Sequence, residues 1–272
     1  MLTTTSRAAA AAGRERLAGL TRDEQVDLAL LGDELFAVLD LVDGQPALRR
    51  TLSDPARPGA EKEAVVRALL GERLAEPAVE VLVALVHERW SSSGDLADAV
   101  ELLAADATVA AAERDGRLGD VEDELFRFVR IVDGDARLRA ALSGGAAPAE
   151  AKAGLVERLL SDRTAPATQR LVRRAALAPR GRTLEAVLRG YGQVAAERRE
   201  RLVARVRVAA PLTADDRSRL AGALQRIYGH EVHLDVDVDP RVVGGVQVDV
   251  SGEVIDGTVE SRLEEARRRL AG

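Results

Sequence analysis

The chain has 272 residues and a formal charge of −6, with 46% apolar, 31% charged and 2% aromatic side chains and no cysteine. That length leaves room for two or three domains, and the apolar share is too high for a disordered chain. The acidic balance argues against nucleic-acid binding, which needs surplus positive charge, and the missing cysteines exclude disulfides, thiolate nucleophiles and thiolate-held zinc or iron–sulfur sites.

From the N-terminus, Met1–Ala12 is alanine-rich but lacks a basic segment followed by a long apolar core, so no signal peptide is expected. No stretch reaches the roughly 18–20 apolar residues that span a bilayer. The most apolar segment, Ala78–Val86, is short and holds Glu80. Membrane association is therefore expected to come through a partner.

An internal repeat follows. Asp33-Glu34-Leu35-Phe36 recurs as Asp123-Glu124-Leu125-Phe126, about 90 residues on. Without a gap, Val42-Asp43-Gly44 answers Val132-Asp133-Gly134, and Leu48-Arg49 answers Leu138-Arg139. Pro58, Lys62 and Val66 find Pro148, Lys152 and Val156. An ungapped block with a shared turn indicates a duplicated domain. Each copy reads as helices, because the Ala, Leu, Glu and Arg content favours them and Leu125, Phe128, Val129 and Val132 recur at one-face spacing. Gly134 is expected to stop that helix with a positive φ, and Pro148 to open the next. The last helix of the second copy is expected over about 182–201, with Leu184, Val187, Leu188, Tyr191, Val194 and Ala195 as its apolar stripe. Short helices and one long one per copy suggest antiparallel bundles, at about 1–110 and 111–200.

Beyond Arg201 the period changes to two. Ala204, Val206 and Val208 alternate with arginines, Val232, Leu234, Val236 and Val238 with His233 and aspartates, and Val246, Val248 and Val250 with polar residues. These are strands with one buried face. Thr213 with Asp216 opens an intervening helix whose apolar side is Leu220, Leu224 and Ile227. A turn at Asp256-Gly257 precedes a final helix carrying Val259, Leu263, Ala266 and Leu270. The fold class expected is mainly α with a small α/β unit at 201–272, of three or four strands and two helices.

Chemistry finds no foothold. Gly244-Gly245 with Gly252 forms neither a P-loop nor a dinucleotide fingerprint, so no nucleotide and no cofactor are expected. The glycines read instead as permitting a bulge or close backbone approach. His230 and His233 stand three apart at the start of a strand, on opposite faces, and His87 is far away, so no metal site is expected. No serine sits in a nucleophile elbow near a histidine. Arg198, Arg199, Arg201, Arg205 and Arg207 are interrupted by Glu200 and lack aromatic partners. They read as a solvated junction, or as a contact for an acidic stalk partner.

The C-terminal unit carries a resemblance. Asp239-Pro240-Arg241-Val242-Val243-Gly244-Gly245-Val246, then Gly252-Glu253-Val254-Ile255-Asp256-Gly257-Thr258-Val259 and Arg262-Leu263, resembles the signature end of F-type ATP synthase delta subunits, a family that includes the mitochondrial oligomycin-sensitivity-conferring protein. Pro211-Leu212-Thr213 resembles that family's opening of a helix. The duplicated bundle, with Trp90 and Pro179-Arg180-Gly181-Arg182, looks like the long actinobacterial form. The resemblance implies a non-catalytic peripheral-stalk subunit at the cytoplasmic face of the plasma membrane. Its implied partners are the N-terminal segments of alpha subunits, the beta subunits and the b subunit, with Pro240, Gly244, Gly245, Val254, Ile255, Asp256, Gly257, Arg262 and Leu263 as structural signature residues. A free-standing helical adaptor with a delta-like tail is the alternative.

Overall fold

A computed structural model describes residues 3–143, 147–161, 163–201, 203–209, 211–228, 232–239, 245–250 and 253–256. These form two compact units, residues 1–196 and 197–272. The first is helical: α1 (Thr4–Leu20), α2 (Leu28–Gly44), α3 (Pro46–Ser53), α4 (Gly59–Leu70), α5 (Glu76–His87), α6 (Ser93–Arg114), α7 (Leu118–Gly134), α8 (Ala136–Ser143), α9 (Ala149–Leu160), α10 (Pro166–Leu177) and α11 (Leu184–Arg201).

The duplication is visible helix by helix. The starts of α2 to α5, at 28, 46, 59 and 76, recur 90 residues later at 118, 136, 149 and 166. Starts at 4, 93 and 184 continue the same spacing to within a residue, so α6 is at once the counterpart of α11 and of α1. The expected break near residue 110 falls inside this shared helix. The sequence shows why α6 can serve both copies: it is alanine-rich, which lets neighbours approach closely, and 14 of its 22 residues are buried, against six of 17 in α1. Helices α1, α2 and α3 pack on it from one copy, α7 and α10 from the other.

Local signals behave mostly as their chemistry dictates. Asp27 caps α2 by accepting from Leu30 N at 2.9 Å, and Ser92 caps α6 through Asp95 N at 3.2 Å. The stripe Leu184, Val187, Leu188, Tyr191, Val194 and Ala195 is buried as expected. Gly134 ends α7 but does not take a positive φ. The helix stops because Asp135 turns extended, its carboxylate accepting from Arg137 N at 2.8 Å to open α8. Pro148 sits at the N-cap of α9, one residue before the first turn.

The second unit holds β1 (Val203–Val208), α12 (Ala214–Tyr228), β2 (His233–Val238), β3 (Val246–Val250) and β4 (Glu253–Asp256) in one sheet ordered β2-β1-β3-β4. β1 runs parallel to β2 and antiparallel to β3, which is antiparallel to β4. Ala204, Val206, Val208, Val232, Val248 and Val250 form the buried face with Leu224, and Leu212 and Leu220 pack beside them. Thr213 caps α12 by accepting from Asp216 N at 3.1 Å. Ile227, expected on the apolar side, is 58% exposed, because the helix's buried face ends at Leu224 among the described residues. The final helix expected after Gly257 lies outside the described residues.

Candidate interaction surfaces

Within the helical unit the two copies are joined by charge as well as by α6. On α2, Asp33, Phe36, Asp40 and Asp43 follow a 3-4-3 spacing and so share one face. The other copy answers each of them. Arg170 Nε meets Asp33 at 3.2 Å, Arg174 Nη1 meets Asp40 at 2.7 Å and Arg180 Nε meets Asp43 at 2.6 Å. The Arg174 guanidinium also lies 5.1 Å above the Phe36 ring, and the Tyr191 ring meets Phe36 edge-on. Phe36 is buried as a result.

Below this stripe lies a buried ionic cluster. Glu101 is 3% exposed and accepts from Arg180 Nη1 at 2.6 Å, from the Tyr191 hydroxyl at 3.0 Å and from Arg182 Nη2. Arg180 Nη1 reaches Asp98 at 2.9 Å as well. Burial by itself would lower the Arg180 pKa, but the hydrogen bonds to Asp43 and Glu101 outweigh it and the net shift is upward. Burial and the Glu101 charge push the Tyr191 hydroxyl up. Arg180 is therefore held charged and Tyr191 neutral, and neither is poised to exchange a proton near neutrality.

The same positions in the first copy behave differently. Trp90 stands 90 residues before Arg180 and turns inward, its indole N–H donating to Leu85 O at 2.9 Å. On α6 Glu101, Ala104, Ala105 and Thr108 are buried and Asp98 is half-buried at the end of the same face; on α1 the counterparts Ala8, Ala11, Arg14, Glu15 and Ala18 are exposed. Beside it α5 offers Glu80 and Ala84, the counterparts of Arg170 and Arg174. Likewise the ring of Phe126, counterpart of Phe36, is 64% exposed. The repeat thus ends in two uncovered faces, α1 with α5 at one end and the outer side of α7 at the other.

One feature of the repeated Asp-Glu-Leu-Phe block escaped the sequence reading. Glu34 accepts from Ala75 N at 2.9 Å, and Glu124 accepts from Ala165 N at 2.9 Å. Each carboxylate caps the fifth helix of its copy, whose own N-cap is an alanine without a side-chain acceptor. The recurrence of Glu was the available signal.

Of the signature residues, Pro240, Gly244, Gly257, Arg262 and Leu263 lie outside the described residues. Gly245 has φ +84 immediately before β3, a conformation that costs other residues strain. In register, Ile255 pairs with Val248 in the row of the buried valines, Val254 pairs with Asp249, and Asp256 pairs with Gln247. Among the described residues no group of acidic, histidine or cysteine side chains could hold a metal ion, and no helix is long and apolar enough to cross a membrane. His87 is a surface residue bonded to Glu63 Oε2 at 2.9 Å. The expectations for His230 and Gly252 fall outside the described residues.

The family model described as "ATP synthase delta (OSCP) subunit" matches residues 100–270, beginning inside the shared helix α6. Along the full length, the chain is 49% identical to ATP synthase subunit delta of Streptomyces griseus over 98% of both chains. The chain belongs to the ATP synthase delta (OSCP) family. It is a peripheral-stalk component of F-type ATP synthase. Identity is 46% to the Kineococcus radiotolerans delta subunit, over 98% of this chain and 97% of that one. These delta subunits match the first copy as well as the second, so the duplication is shared with them. A chain of the Toxoplasma gondii mitochondrial ATP synthase hexamer matches 62% of this chain and 95% of its own, at 19% identity and a TM-score of 0.30, too distant a superposition to argue from.

Proposed function

We propose that this delta-family chain is a non-catalytic stator clamp on the cytoplasmic side of the plasma membrane, and that its first copy, not its second, receives an N-terminal helix of an alpha subunit. The observation that carries this is the asymmetry of the repeat. In the second copy the flank formed by α6 and α10 is covered in cis by α2. The counterpart flank of the first copy, α1 with α5, is uncovered.

That flank suits a helix. Ala8, Ala11 and Ala18 permit close backbone approach, and Val83 and Ala84 add apolar surface. The ion pairs that hold α2 have no counterpart there, since Glu80, Ala84 and Trp90 stand in the places of Arg170, Arg174 and Arg180. A docked helix is held mainly by apolar burial, worth roughly 25 cal/mol per Å². The C-terminal unit, which carries the signature resemblance, engages the b subunit of the stalk, and the beta subunits lie within reach of the same attachment.

The load explains the need for more than one contact. A proton crossing 100 mV contributes roughly 2.3 kcal/mol, so a few protons per ATP load the stator with on the order of 10 kcal/mol. A 1 nM interface is worth about 12 kcal/mol, and several linked contacts raise the effective affinity without strengthening any one. Titration of the full chain with an alpha-subunit N-terminal peptide tests the site. Ala11→Arg and Ala18→Glu are expected to raise Kd at least tenfold while the helical unit still melts as a unit; unchanged affinity in both would overturn the assignment.

A further inference from the structure

We propose that the outer face of α7 is a second docking surface, fitted to an acidic amphipathic helix of another subunit. The repeat itself shows what such a face is for. In the first copy the stripe Asp33, Phe36, Asp40 and Asp43 is covered by a helix of opposite charge, which bears Arg170 and Arg174 one turn apart. In the second copy the stripe Asp123, Phe126, Arg130 and Asp133 has the same 3-4-3 spacing and is exposed along its length.

Two substitutions reverse the charge this face seeks. Arg130 stands in the place of Asp40 and Arg127 in the place of Ala37. Asp123 is already paired with Arg127 at 3.1 Å, and Asp133 with Arg189 at 3.6 Å. Arg130 forms no ion pair among the described residues, and it lies one turn from the exposed Phe126 ring. The uncommitted group is thus a cation beside a large apolar side chain. The matching helix places an apolar residue on Phe126 and an Asp or Glu one turn away on Arg130.

A second copy of this chain is a poor occupant. Placing its α1–α5 flank on α7, as α6 and α10 sit on α2, would bring Glu80, already paired with Arg16, against Asp123, already paired with Arg127, so nothing replaces the cis contact of Arg170 with Asp33. An α10-like helix would bring the arginine equivalent to Arg174 onto Arg130. The ion pairs that join the two copies in cis thus have no equivalent between the two open ends, which disfavours head-to-tail propagation.

The test uses the assembled, purified ATP synthase. A photo-crosslinking benzoylphenylalanine replaces Phe126, with the same probe at Ala11 to report the α1–α5 site separately. The probe at 126 is expected to join an acidic amphipathic helical segment of another subunit, identified by peptide mass spectrometry. Arg130→Glu should lower that yield about tenfold, and raising salt should weaken it. Absence of an adduct, an adduct only with a second copy of this chain, or a yield indifferent to Arg130→Glu would overturn the proposal. None of those outcomes bears on the Ala11 probe, so the α1–α5 reading stands or falls by itself. Phe126 is exposed, and a melting curve unchanged from wild type verifies that the probe leaves the fold intact.

Discussion

Trp90 and Arg180 hold one place in the repeat and act in opposite directions. Trp90 fills its own bundle, while Arg180 reaches across to Asp43 and down to Asp98 and Glu101. Removing one partner of a buried ion cluster leaves the others uncompensated, a cost of about 3–5 kcal/mol, whereas an exposed pair contributes about 0–1 kcal/mol. Arg180→Ala is therefore expected to lower the unfolding free energy of the helical unit by several kcal/mol in urea titration, and Asp33→Asn to change it by less than about 1 kcal/mol. Lys62 is a different kind of buried charge. Its ammonium, 2% exposed as a residue, donates to Glu88 O at 3.3 Å, and burial lowers its pKa from the ordinary 10.5, with Asp54 and Glu88 offsetting part of the shift. The folded chain then releases this proton before the unfolded chain does. Stability from this residue is flat below the lowered pKa and rises with pH from there to about 10.5, where the unfolded lysine also loses its proton. Lys62→Met should abolish that alkaline rise and leave stability at pH 7 equal or higher, as read from urea midpoints across pH.

At the scale of elements, α6 is the piece on which the helical unit depends. Its alanines accept neighbours from both copies, and Gly32 of α2 lies so close that an added Cβ would stand 2.4 Å from Thr108 Oγ1 and 3.2 Å from Ala104 O. The carbonyl cannot move without the helix, so Gly32→Ala is expected to destabilise by about 1–3 kcal/mol through overpacking. Gly13, by contrast, faces the ends of the Leu85 and Leu103 side chains, which can rotate, so Gly13→Ala should cost less. Thermal melts of the two variants check the order. The fifth helix of each copy depends on a carboxylate from the second. Glu34→Gln keeps the acceptor on Ala75 N and should cost less than Glu34→Ala, which leaves that amide without its side-chain partner.

Over the whole molecule, duplication converts one adhesive bundle into a longer one with two distinct open faces. Inside, like repeats bind each other through opposite charges; outside, those charges are replaced, by alanine and Glu80 at one end and by Arg127 and Arg130 at the other. A stator held at several points can resist torque that a single nanomolar contact would barely match. Because α6 belongs to both copies, residues 1–196 are expected to unfold in one cooperative step. Calorimetry should show Arg180→Ala shifting that step and leaving the transition of the α/β unit in place.

Much of this was written in the order of residues. The duplication, the helix stripes such as Leu184 to Ala195 and the strand alternation of β1 to β3 all follow from periodicity, because burial of one face imposes a fixed spacing on the chain. The capping pair Thr213–Asp216 is equally local. What periodicity could not show is which surface a neighbour covers. Phe36 and Phe126 are identical in type and context along the chain, yet one is buried and the other exposed. A sequence repeat also divides into equal parts on paper, whereas α6 is a single helix counted in both. Those outcomes depend on contacts between residues 79–137 positions apart, and only the packed structure brings such residues together.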